Sequence, residues 1–144
     1  QRRQQVREVS YRLHFELNQK ANTYKGTSTL ELALFDLTRD LSIDFFGGKI
    51  LSLSVNGRAI KHFPQRVGSF DIPKKLLAPV VNVVVAFEAP FSKHSGGFLK
   101  AVDPEDQNEY LYTDFEPYSA HHLFPCLDQP DLKARYLVTV KAPA

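Results

Sequence analysis

Val9-Ser10-Tyr11-Arg12-Leu13-His14-Phe15-Glu16-Leu17 alternates without a break. Val9, Tyr11, Leu13, Phe15 and Leu17 share one face, and Ser10, Arg12, His14 and Glu16 share the other. Successive strand side chains point to opposite sides, so this run predicts a strand buried on one face only. The same period recurs outward from it. Tyr24 to Leu34 sets Leu30, Leu32 and Leu34 against Thr27, Thr29, Glu31 and Ala33. Leu41, Ile43 and Phe45 alternate up to Gly47-Gly48, and Leu51, Leu53 and Val55 follow. Asn56-Gly57 supplies the two left-handed residues of a type I′ hairpin turn, with Arg58 to Ile60 returning. Phe70 to Ile72 is a short run. Val80 to Phe87 is so rich in valine that it reads as a strand covered on both faces. Phe98-Leu99, Tyr110 to Thr113 and Tyr136 to Val140 complete the set. Helix is confined to single turns at Lys74 to Leu77 and Ser119 to Leu123.

Eight or more short strands separated by turn residues predict an all-β, antiparallel, two-layer architecture. No βαβ alternation, internal repeat or low-complexity linker interrupts it. The chain has 144 residues, the length of a single domain, and can bury about two-thirds of its unfolded surface. Its hydrophobic fraction of 43% and charged fraction of 24% place it among globular chains. A net charge of +2 is too mild to argue for nucleic acid. Arg2, Arg3, Arg7 and Arg12 read as a solvated lead-in to the first strand rather than a basic arm. No apolar run reaches the length of a membrane span. The chain opens on Gln1 and stops at Ala144 after a strand-like run, so both ends read as cut from something longer. A cytoplasmic protein and an exported one that has lost its signal sequence are both compatible with this.

The chemistry is concentrated in Tyr110 to Arg135. From Asp103 to Glu116 there are six carboxylates and no Lys or Arg. Asp103, Glu105, Asp106 and Glu109 lack the spacing of a calcium loop and read as a solvated acidic turn. Asp114 and Glu116 stand two apart at the end of an aromatic strand, a spacing that puts both on one side. Two carboxylates on one face repel, and the pair is best tolerated where a cation is expected. That cation can be a metal, an arginine or a ligand ammonium. Equally, one of the two can cap the Ser119 turn or pair with Lys133 or Arg135. His121 and His122 are adjacent and diverge on a helical turn, which disfavours a shared metal. His14, His62 and His94 are isolated. Cys126, the single cysteine, lacks the surroundings of a nucleophile and reads as buried packing. No G-x-S-x-G elbow and no phosphate-binding glycine loop is present.

Thr113-Asp114-Phe115-Glu116 followed by Phe124-Pro125-Cys126-Leu127-Asp128-Gln129-Pro130-Asp131-Leu132-Lys133-Ala134 resembles the end of the N-terminal domain of the aminopeptidase N family of zinc metallopeptidases. There a T-Q-x-E segment precedes a [FY]-P-C-x-D-x-P-x-x-K-A pattern. The Tyr11 to Leu17 strand, the Gly26 to Leu34 strand and the Gly96-Gly97-Phe98 turn are also similar, so the resemblance spans essentially the whole chain. It implies a saddle-shaped antiparallel β-sandwich over residues 1–144, packed on a thermolysin-like catalytic domain of the same polypeptide. Zinc is bound in that other domain by H-E-x-x-H and a distal Glu, beside a G-x-M-E-N segment. None of these occurs here. The resemblance therefore implies an N-terminal domain with no peptidase activity alone and no zinc of its own.

It also implies a role in recognition. The family's Gln and Glu help hold the free α-amino group of the peptide substrate. Glu116 matches the Glu, and Asp114 stands where the family has Gln. The extra charge can tighten the amine, bind a neighbouring Arg, or share one proton with Glu116. The family often bends the backbone in a cis peptide after this Glu, and proline lowers the cis penalty to about 1 kcal/mol or less, so a cis Glu116–Pro117 bond is expected. An apolar patch near Phe115, Tyr118 and Phe124 is expected to face the catalytic domain. Two rivals stand beside this: a non-enzymatic β-sandwich interaction module, and a carbohydrate-binding sandwich using the aromatics. Tyr110 and Tyr112 alternate as strand residues, so core and cleft packing explain them without sugar.

Overall fold

The alternation of Val9 to Leu17 becomes β1 (Val6–Glu16) of a computed structural model that describes residues 2–93 and 96–143. A four-residue helix, α1 (Arg2–Gln5), precedes it. The remaining strands are β2 (Thr23–Leu34), β3 (Leu41–Asp44), β4 (Lys49–Val55), β5 (Arg58–Ala59), β6 (Gln65–Arg66), β7 (Ser69–Ile72), β8 (Val80–Pro90), β9 (Gly97–Val102), β10 (Glu109–Asp114) and β11 (Ala134–Lys141). Single 3₁₀ turns at Lys74–Leu76 and Ala120–His122 are the other helical pieces among the described residues. His94 of the isolated histidines lies outside the described residues.

Six strands form the main sheet in the order β11-β1-β2-β8-β4-β5, faced by a three-stranded sheet β3-β7-β6, with β9 and β10 forming a separate ribbon. The expected all-β sandwich is borne out, and nearly every pairing is antiparallel. The exception among the strands of the described residues is β11, which runs parallel to β1 from Val9 beside Ala134 to Glu16 beside Lys141. A parallel neighbour cannot be reached by a hairpin. Here the return path is the rest of the domain, and no local pattern in either strand announces it.

The buried face of the main sheet carries Tyr11, Leu13 and Phe15, then Leu30 and Leu32, then Val81, Val83, Val85 and Phe87. Leu41, Ile43, Phe70 and Ile72 close the core from the smaller sheet. Each such side chain contributes roughly 1.5–3 kcal/mol of burial free energy. Asn56 and Gly57 both have positive φ, 49° and 77°, as the type I′ turn between β4 and β5 requires.

Three local expectations are corrected. β8 is buried on one face only: Val81, Val83, Val85 and Phe87 point inward, while Val80 is 73% exposed. The valine run reflects β-branched preference for a central strand, and the outward positions Asn82, Val84, Ala86 and Glu88 are only partly buried. Leu51 does not continue the phase of Leu53 and Val55. A bulge between Ile50 and Ser52 drops it from the ladder and leaves it exposed. Tyr110 and Tyr112 are half exposed rather than packed in a core or cleft, because β10 has a single strand neighbour, β9.

Candidate functional site: an exposed acidic loop on a fastened base

Residues 120–128 form the base. Their backbone is held by side chains reaching across from the sheets. The Tyr24 hydroxyl donates to the Leu123 carbonyl at 2.7 Å, and the Ser28 hydroxyl donates to the Pro125 carbonyl at 2.8 Å. The Tyr11 hydroxyl accepts the Leu127 N–H at 2.9 Å. Cys126 and Asp44 exchange backbone hydrogen bonds, at 2.8 and 3.0 Å. Leu123, Phe124, Cys126 and Leu127 are all core residues. The Phe-Pro-Cys sequence is thus architectural: one ring in the core, one carbonyl bound by Ser28, one thiol sealed from water. Burial pushes the Cys126 thiol well up, which removes the thiolate a nucleophile needs. The expectation of a packing cysteine is borne out.

The same base holds a polar cluster. Asp44 is 4% exposed, yet its carboxylate receives the Arg2 guanidinium through both terminal nitrogens and the Asp128 N–H at 3.0 Å. The Asp128 carboxylate accepts the His121 N–H at 3.0 Å and lies 2.7 Å from His121 Nδ1. Arg2 is therefore no solvated lead-in: it meets a buried counter-charge, which is what holds it against the domain. Alternation hides Asp44, since its place between Ile43 and Phe45 predicts an outward side chain. That side is covered by residues 126–128, which arrive from far along the chain.

The two histidines separate as their adjacency predicts. Their rings stand 87° apart; His121 turns inward to Asp128, and His122 stacks on Phe46 at 5.0 Å. Burial, followed by the neighbouring His121, lowers the pKa of His122. No group of three or more His, Cys, Asp or Glu among the described residues is arranged to hold a metal ion.

Above the base lies the loop. β10 ends at Asp114, paired with Gly97 of β9, and Phe115 to Ser119 turns back towards the base. Asp114 and Glu116 are both exposed. They meet in an unforeseen way: Asp114 Oδ1 accepts the backbone N–H of Glu116 at 3.2 Å. Asp114 thereby fixes the backbone that carries Glu116. Glu116 itself lies beyond the strand, so strand alternation does not set its direction. The Glu116–Pro117 peptide is cis, as the sequence reading expects. The Ser119 N–H closes the turn on the Phe115 carbonyl at 3.1 Å, and the Tyr118 ring rests 4.5 Å from that of His121.

The turn before β9 fits under this loop because it is Gly96-Gly97. Both have positive φ, 88° and 85°, and a Cβ on them would lie 2.6 Å from Ser119 Oγ and 2.7 Å from His122 Cβ. The acidic turn further out is held by its own side chains and by Glu109, which accepts the Lys20 N–H at 3.0 Å. Asp103 accepts the Glu105 N–H and Asp106 accepts the Asn108 N–H, both at 2.8 Å, while Glu109 pairs with Lys100 at 2.5 Å.

The expected apolar patch exists in altered form. Phe124 is buried in the core; Phe115 and Tyr118 are partly exposed. A groove of about 480 Å³ opens between β1, β11 and the loop, lined chiefly by Phe15, Phe98, Phe115, Tyr136, Val138 and Val140. Tyr136, Leu137, Val138 and Val140 of β11 are each more than half exposed.

The described residues thus form an all-β sandwich in which an acidic, aromatic loop lies exposed on a tightly bonded base. The chain belongs to the peptidase M1 N-terminal domain family, which residues 7–144 match. It is 31% identical over 137 residues to aminopeptidase N of Streptomyces lividans, covering 93% of this chain and 16% of that protein. It is 33% identical over 104 residues to a probable M1 family aminopeptidase 1 of Encephalitozoon cuniculi, covering 72% of this chain and 12% of that one. The chain thus spans about a sixth or less of the length of these relatives. Among solved structures, an M1 zinc metallopeptidase from Deinococcus radiodurans superposes with a TM-score of 0.71 at 19% identity, over 97% of this chain and 34% of that one. The leukotriene A4 hydrolase of Saccharomyces cerevisiae superposes with a TM-score of 0.78 at 15% identity, over 96% and 23%. At such identities the likeness is one of fold.

Proposed function

We propose that residues 1–144 are the N-terminal domain of a larger zinc aminopeptidase and form one wall of its substrate site. The observation that carries this is the exposed Glu116 carboxylate, on a loop whose backbone is fixed at Asp114, at Ser119 and against His121. Family membership and the aminopeptidase relatives support it. The bare apolar face of β11 and its groove supports a second body of protein at this side, since contiguous apolar surface of this kind marks an interface. We assign that body to the catalytic domain of the same polypeptide, which supplies the zinc, the activated water and the general base. The 144 residues alone then do not cleave peptides.

In this role Glu116 pairs with the α-ammonium of the peptide. A carboxylate in a cleft partly closed to water attracts an ammonium strongly and has nothing to offer a blocked terminus. It therefore fixes the position of the first residue relative to the metal, and so selects removal of one residue. Asp114 contributes through the Glu116 backbone and by adding negative charge beside it. In the parent enzyme, Glu116→Gln should lower kcat/KM for unblocked peptides by about 10- to 100-fold, the value of a hydrogen bond to a charged group, with little change in the unfolding midpoint. Unchanged kcat/KM would remove this role.

A further inference from the structure

The loop that carries Glu116 is tied to the start of the chain through a run of direct contacts. Tyr118, two residues beyond Glu116, rests on His121 with ring centroids 4.5 Å apart. His121 is fixed by two atoms on the same oxygen of Asp128, its N–H at 3.0 Å and Nδ1 at 2.7 Å. Asp128 is held in turn by its own N–H on Asp44 Oδ2 at 3.0 Å. Asp44 is closed by the fork of Arg2. Arg2 is not left to wander, because α1 is docked at its far end. Gln5 is 3% exposed, its amide donates to the Arg39 carbonyl at 3.1 Å, and its carbonyl accepts the Phe35 N–H at 2.8 Å.

The physical requirement lies at Asp44. A carboxylate that buried is stable as an anion only with a counter-charge and with its lone pairs satisfied. Arg2 supplies the charge with a planar fork, which also fixes the plane of the carboxylate. That plane decides whether Oδ2 still meets the Asp128 N–H. Without the fork of Arg2 the plane of the carboxylate is no longer fixed, which loosens Asp128, then His121, then the ring under Tyr118. Arg2 also lies outside residues 7–144, the stretch shared with the family.

We propose that Arg2 is a positioning residue for the amine-recognition loop, acting through Asp44, Asp128 and His121 on Tyr118 and so on Glu116. This rests on the role proposed above for Glu116. The prediction is local and kinetic. In the full-length parent enzyme, Arg2→Gln should speed amide exchange at Ser119 and His121 about tenfold and leave the amides of β8 unchanged. KM for an unblocked peptide should rise about tenfold with kcat within about twofold, because the loop holding the amine has lost its seat while the metal site is untouched. Arg2→Lys keeps the charge without the fork and should fall between Arg2→Gln and the wild type. Wild-type exchange at Ser119 and His121 overturns the proposal. So does an acceleration spread equally over β2 and β8, which would make Arg2 an ordinary stability contact. Glu116→Gln in the same assay separates the two ideas. No kinetic effect there removes the recognition role, while exchange in the loop still decides for or against the hold of Arg2 upon it.

Discussion

Residues 110–118 and residues 121–128 adjoin in sequence and differ in almost everything else. In the first, Tyr110, Tyr112, Phe115 and Tyr118 all show substantial surface to solvent. In the second, Leu123, Phe124, Cys126 and Leu127 are sealed in the core, and the backbone is bonded by Tyr11, Tyr24, Ser28 and Asp44. The contrast separates two tasks. A group that must meet a ligand cannot be buried, and a group that is exposed has few contacts to hold it. On the role proposed for Glu116, the domain resolves this by resting a thinly held loop on a heavily held one, with Tyr118 on His121 as a contact between them.

The contrast can be broken at several points. The largest effect is expected from Phe124→Ala, which should cost about 3–5 kcal/mol, whereas Phe115→Ala should cost about 1 kcal/mol or less. Urea unfolding followed by circular dichroism measures both, and equal losses would mean that the two segments are not energetically distinct. Next come Tyr24→Phe and Ser28→Ala. Each leaves a carbonyl of the base without its donor, at a cost of about 1–3 kcal/mol. A loss below the error of the unfolding curve would show that these bonds do not hold the base.

Alkaline pH tests the same sealing. Burial raises the pKa of the Cys126 thiol and of the Tyr11 and Tyr24 hydroxyls, so the fold favours their neutral forms. The unfolded chain releases these protons first, from the ordinary values of 9.0 for Cys and 10.0 for Tyr. Their contribution is complete below those values and is lost as pH rises through them towards the folded ones. Stability should therefore fall above about pH 9, by up to about 1.4 kcal/mol per pH unit for each group. A flat profile from pH 8 to 11 would contradict the burial of all three. The smallest effect is expected from Asp114→Asn, which keeps an oxygen to accept the Glu116 N–H. It should change stability by no more than about 0.5 kcal/mol, against a clear loss of kcat/KM in Asp114→Ala. Equal kinetics for Asn and Ala would mean that the hydrogen bond does not set Glu116.

Much of this was legible in the sequence wherever a local rule operates. Period-two alternation locates β1 and β2, and Asn56-Gly57 locates its turn, while the cis Glu116–Pro117 peptide is expected from the family resemblance, with proline lowering its cost. The rest depends on what arrives from elsewhere. Asp44 looks like an outward strand residue until residues 126–128 cover it. Arg2 looks solvated until Asp44 needs a charge. Val80 to Phe87 looks doubly buried because β-branched residues suit any central strand, whether or not a second layer lies above. Leu51 is lost to a bulge that its neighbours do not encode. Asp114 and Glu116 were recognisable as a pair. Their relation, carboxylate to backbone N–H, depends on the strand ending between them.

The most direct measurement is a structure of the parent enzyme with a free amino acid or short unblocked peptide bound. The ammonium nitrogen should lie within about 3.2 Å of a Glu116 carboxylate oxygen, with the Glu116 N–H still held by Asp114. An ammonium held by other groups, with Glu116 turned to solvent beyond hydrogen-bond reach, would contradict the assignment of this loop as the amine-recognition wall.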